Sequence, residues 1–62
     1  MYLITLIQND DGYYCQIRSD RFGHIVGQTN VRLDRDLALE DADEMSPGAQ
    51  LIDEIDLRHK GE

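Results

Sequence analysis

The reading of two adjoining stretches decides the fold: Leu37 to Met45, LALEDADEM, and, past a break at Ser46–Pro47–Gly48, Leu51 to Leu57, LIDEIDL. Wound as a helix, the first puts Leu37, Ala38, Ala42 and Met45 along one stripe and leaves Glu40, Asp41, Asp43 and Glu44 outside it. The second is ambiguous. With Ser46 as N-cap and Pro47 at the first helical position, Leu51, Ile52, Ile55 and His59 would share a helical stripe. Its rival is an edge strand with Leu51, Ile55 and Leu57 facing inward. The pattern favours a second helix.

Upstream, the signals are those of a β-sheet. Tyr2 to Gln8 (YLITLIQ) is rich in β-branched and aromatic residues and apolar on both faces, as expected of a central strand. Asn9–Asp10–Asp11–Gly12 is the strongest turn signal in the chain. Tyr13 to Ser19 (YYCQIRS) alternates, with Tyr13, Cys15 and Ile17 on one face and Tyr14, Gln16 and Arg18 on the other. These two segments read as a hairpin. Asp20 to Gly23 forms a second turn, and His24 to Thr29 supplies a short third strand in which Gly27 marks a bulge or an edge. A helix beginning near Asp34 or Asp36 follows, because acids suit a helix N-terminus. The expected fold class is α+β: a three-stranded antiparallel meander packed against one or two acidic helices, in a single domain divided into a β-meander (1–33) and an acidic helical half (34–62).

Charge divides the chain at the same place. Residues 1–33 hold three acids and three bases; residues 34–62 hold ten acids against Arg35, Arg58 and Lys60, which accounts for the formal net charge of -7. At 62 residues with 6% aromatics and no Trp, the core must be thin, and a partner or homodimer could supply missing burial. An acidic surface repels nucleic-acid phosphates and anionic lipid and steers the chain toward basic proteins, so neither direct nucleic-acid nor membrane binding is expected. A single cysteine cannot form an internal disulfide, which favours a reducing cytoplasm. Tyr2 to Ile7 is too short for a membrane span and lacks the basic flank of a signal peptide.

Catalytic and metal signatures are absent. His24, His59 and Cys15 lack zinc-ligand spacing, and Asp34 and Asp36 are followed by Ala38 and Leu39 where a calcium loop needs oxygen ligands and a glycine. No phosphate loop or nucleophile elbow is present, so neither an enzyme nor a cofactor is expected. From Asp36 to Glu44, however, five carboxylates occupy nine residues, about one per 2.7 Å of helix axis, between the spacing of phosphates along duplex and single-stranded DNA. Like charges fall at i, i+4 (Asp36 with Glu40, Glu40 with Glu44), which an isolated helix resists. The expected partner-binding residues are therefore Asp36, Glu40, Asp41, Asp43 and Glu44, joined by Asp53, Glu54 and Asp56, which would stand in for phosphates facing a basic groove.

A second expectation, of a different class, is a structural or assembly module. There the sheet face around Tyr14, Arg18 and Phe22, or an edge strand, mediates homodimerisation or docking, because Tyr and Arg are enriched at binding hot spots.

The run DGYYCQI after the first strand and DLALEDADEM in the helix resemble the N-terminal half of HicB-type antitoxins, through Asp11, Gly12 and Tyr14 and through Ala38, Leu39 and Ala42. Ser19 to Gly23 stands where that family has a P-G-C-like segment. No DNA-binding domain follows, so operator binding is not implied. In size and charge the chain also resembles phage-encoded inhibitors, including anti-CRISPR proteins and DNA mimics. Both resemblances imply an acidic inhibitor of a basic, nucleic-acid-handling protein or complex, acting in the host cytoplasm if phage-encoded.

Overall fold

The computed structural model describes residues 1–21 and 23–58. Its elements run β1 (Tyr2–Asn9), β2 (Gly12–Ser19), β3 (Ile25–Gln28), α1 (Arg35–Met45) and β4 (Gln50–Asp56), and the strands form one sheet in the order β3-β2-β1-β4. β1 and β2 pair antiparallel, as do β2 and β3, whereas β4 lies parallel to β1.

This corrects the expected three-stranded meander with one or two helices: the sheet has four strands and is mixed, and α1 is its single helix among the described residues. The correction falls on residues 50–56, which form a strand rather than a second helix. So the C-terminal half is not wholly helical. Two physical reasons account for it. Ser46 does not open a helix; it ends α1, its N–H bonding to the Ala42 carbonyl at 2.9 Å, and the Ala49 N–H then closes a turn on the Ser46 carbonyl at 3.0 Å. With Pro47 at the second position and Gly48 at φ 85° in the third, that turn has the form that sends a chain off extended. β1 then offers a strand that needs a neighbour on both sides. β4 fills the open side, and the pairing continues as far as the Leu57 N–H on the Gln8 carbonyl, 2.7 Å.

The β1–β2 hairpin turns at Asp10–Asp11, with Asn9 paired to Gly12 and the Asn9 side-chain oxygen accepting from the Asp11 and Gly12 N–H groups at 2.9 and 3.0 Å. Gly12 sits at φ 145°, and a Cβ there would run into the Arg32 carbonyl. That approach exists because Tyr13 and Arg32 exchange two backbone bonds of 2.7 Å each, pinning the segment before α1 against the start of β2.

α1 packs chiefly over β2. Asp34 caps it, accepting from the Asp36 N–H at 3.1 Å. Its contact stripe is narrower than expected: Ala38 and Ala42 are fully buried against Ile4, Leu6, Cys15 and Ile17, while Leu37 and Met45 stay exposed. Small side chains let the helix approach closely enough for the Cys15 thiol to donate to the Ala38 carbonyl at 3.5 Å. Met45 lies over β3, where its Cε would be 3.1 Å from a Cβ on Gly27.

Candidate functional site

Burial of Ala38 and Ala42 fixes the rotation of α1 and hence the direction of every acid on it. At 100° per residue, Asp36, Glu40, Asp43 and Glu44 fall on the side opposite those alanines, and all four are exposed. Among the described residues no cation pairs with any of them. Asp41 lies on the flank, half-buried, where Arg32 holds both its oxygens at 3.0 and 3.3 Å.

The arrangement works against the helix. Asp36–Glu40 and Glu40–Glu44 each cost about 0.2–0.5 kcal/mol as like-charge neighbours. Asp43 and Glu44 stand in the last turns, where the helix dipole is already negative, and no base accompanies them there. Asp36 suits the first turn, but with Glu40, Asp43 and Glu44 it forms an outward row of like charges that the fold as a whole does not need.

The three acids expected to extend this row from β4 do not join it. Glu54 pairs with Arg35 at 3.0 Å, and Asp56 is gripped by Arg58 through two bonds of 2.8 and 3.0 Å. Donating those bonds to Asp56 holds the Arg58 guanidinium even more firmly protonated than usual. Asp53 pairs in register with Thr5 and therefore lies on the side of the sheet away from α1; its Oδ1 accepts from the Glu54 N–H at 2.9 Å. Tyr14 and Arg18, in register with Ile7 and Leu3, share that far side. Phe22, expected beside them, lies outside the described residues, as does His59. The candidate residues thus occupy two opposite surfaces, an acidic one on α1 and a nearly neutral one on the sheet. The roles of Arg32 and Arg35 in drawing off Asp41 and Glu54 had no local signal, because each pair joins residues 9 and 19 positions apart.

Cys15 is fully buried, and burial, helped by the Asp41 charge, pushes its thiol pKa up against a smaller opposing pull from Arg35. It is a packing residue, not an activated nucleophile. Among the described residues no group of His, Cys, Asp and Glu is placed to hold a metal ion, and no helix is long and apolar enough to cross a membrane.

The chain matches no protein-family model, no curated protein and no solved structure.

Proposed function

We propose that this chain is a small inhibitor, antitoxin-like or anti-CRISPR-like in its action, which occupies the phosphate-binding surface of a basic, nucleic-acid-handling protein or complex. The observation that carries the reading is the outward row Asp36, Glu40, Asp43 and Glu44, unpaired by any described cation and held by the buried alanines beneath it. From Asp36 to Glu44 the axis advances about 12 Å, with the four charges at successive steps of roughly 6, 4.5 and 1.5 Å, an average of about 4 Å against the ~3.4 Å per phosphate of a single strand. Opposite charge would steer the encounter and make association fast and salt-sensitive. The mechanism is competitive: the partner cannot hold nucleic acid and α1 in the same groove.

The test is capture of partners from host lysate at low and high salt, using the wild-type chain and the triple variant Glu40→Lys, Asp43→Lys, Glu44→Lys, followed by competition with a single-stranded oligonucleotide. A basic protein is expected that binds the wild type at low salt, is displaced by the oligonucleotide and ignores the triple variant. Equal capture by both chains would end the mimicry reading.

A further inference from the structure

β1 is apolar on both sides, yet α1 covers one of them. Ile4 and Leu6 face the helix, while Leu3, Thr5 and Ile7 face away, in register with Arg18, Gln16 and Tyr14 of β2 and with Gln50, Asp53 and Ile55 of β4; Thr5 and Ile7 are already buried on this side, and Ile55 is exposed. Ile25 and Gln28 of β3 continue this second face beside Arg18 and Gln16. Among the described residues no helix or strand lies over it. A sheet apolar on both sides normally carries a layer on each.

Charge identifies what meets this face. In a chain of net charge -7, the strand residues of this face include one cation, Arg18, and one anion, Asp53, and neither has an ion-pair partner among the described residues. They flank the central strand on opposite sides, Arg18 beside Leu3 and Asp53 beside Thr5. A face that is neutral and carries opposite charges on either side of its midline is complementary to itself.

We propose that this face is covered by a second copy of the chain, the two sheets stacking about a two-fold axis that runs along β1. Such an axis lays β1 on the partner's β1 and β2 on the partner's β4. It sets Tyr14 over the partner's Ile55 and Gln16 over the partner's Asp53. Arg18 then lies two residues, roughly 7 Å, further along the strand, within reach of the partner's Asp53 across sheets about 10 Å apart. Three strands, β2, β1 and β4, overlap in this arrangement; about 4.8 Å apart and some seven residues long, they present about 330 Å² in projection on each copy. Side-chain relief raises the total toward the roughly 1,000 Å² at which specific interfaces begin.

The other meeting place, the exposed outer edge of β4, fits a second copy poorly. In a two-fold antiparallel pairing, a register centred on Asp53, Glu54, Ile55 or Asp56 opposes Asp53 to itself, Glu54 to itself, Glu54 to Asp56, or Asp56 to itself. Registers centred nearer Gln50 run across the shift in pairing at Ile52. The face dimer leaves both acidic helices outermost, so it is independent of the inhibitor reading and compatible with it.

Sedimentation equilibrium, up to about 1 mM chain, is expected to show a species of twice the 7.1 kDa monomer mass. Arg18→Glu and Asp53→Arg should each raise the dimer Kd about tenfold, and the double variant should return it to within about twofold of wild type. Isotope-filtered NMR on a mixed-label sample, which needs no variant, should give Tyr14 ring to Ile55 methyl contacts between chains. A monomer throughout the range, a dimer indifferent to both charge changes, singles that the double does not rescue, or absence of the Tyr14–Ile55 contact would each overturn the proposal.

Discussion

Arg35, the first residue of α1, reaches Glu54 of β4 at 3.0 Å and so ties the helix to the strand at the edge of the sheet. The pair also consumes the cation that stands nearest the acidic row in sequence. Both side chains are about half exposed, 42% and 54%, so the bond is screened and its stabilisation is small, on the order of 0.2–1 kcal/mol. Arg35→Ala should therefore lower stability in urea by less than about 1 kcal/mol. It should also speed association with a basic partner at low salt, because Glu54 is released and the net charge deepens by one. A loss of several kcal/mol would show that this pair, rather than β1–β4 pairing, holds the edge strand in place.

Glu40 has a like-charged neighbour one turn away on each side, Asp36 and Glu44. Glu40→Lys converts two repulsions into attractions on an exposed helix face, and the expected result is a gain of about 0.8–2 kcal/mol in unfolding free energy. The same change should weaken capture of the basic partner. A variant that is more stable and less active is the signature of charge kept for function against the interest of the fold. Lower stability in Glu40→Lys would mean that the row is not repulsive as placed.

The legible part of this fold was local. The hairpin and the alternation that divides Cys15 and Ile17 from Tyr14 and Arg18 follow from residue order over a few positions, and the structure realises them. β4 was missed although one clue lay in the sequence. A strand as apolar on both sides as Tyr2–Gln8 belongs inside a sheet, whereas a meander would have left it at the edge. Periodicity over Leu51–Leu57 could not decide, since Leu51 and Ile55 share a face at both helical and strand spacing. The Pro47–Gly48 pair is a turn signal as much as a helix opening, and in the fold it makes the turn. At the candidate site the acidic row of α1 was legible for the same local reason. The withdrawal of Asp41 and Glu54 into ion pairs depended on which arginines the tertiary fold brings near, whereas Asp56 pairs with Arg58 only two residues on.

Thr29, just past β3, is buried and accepts the Cys15 N–H through its hydroxyl at 2.8 Å, while its own N–H donates to the Cys15 carbonyl at 2.9 Å. The hydroxyl replaces a backbone acceptor that β3 no longer provides. Thr29→Val keeps the shape and leaves a buried N–H without a partner, at a cost of about 1–3 kcal/mol. Thr29→Ser should retain most of the stability. Equal unfolding midpoints for the Val and Ser variants would show that β-branching, not the hydrogen bond, is what this position requires.

Cys15 gives a pH dependence whose sign can be worked out. Burial, the largest cause, and then Asp41 raise the thiol pKa in the folded chain above its ordinary value of 9.0, while the unfolded chain ionises normally. At alkaline pH the unfolded state therefore binds fewer protons than the native one, and stability falls as pH rises through the ordinary thiol value toward the folded one. Below that range the contribution is fully present and flat. Urea titrations between pH 7 and about pH 10.5 should show this decline in the wild type and a shallower one in Cys15→Ala, which is itself less stable for the volume it leaves beneath Ala38. A thiol reagent at neutral pH should label Cys15 slowly in the native chain and rapidly in urea. Rapid native labelling would mean that α1 lifts off β2 readily, and the acidic row would then lack the rigid mount that phosphate mimicry requires.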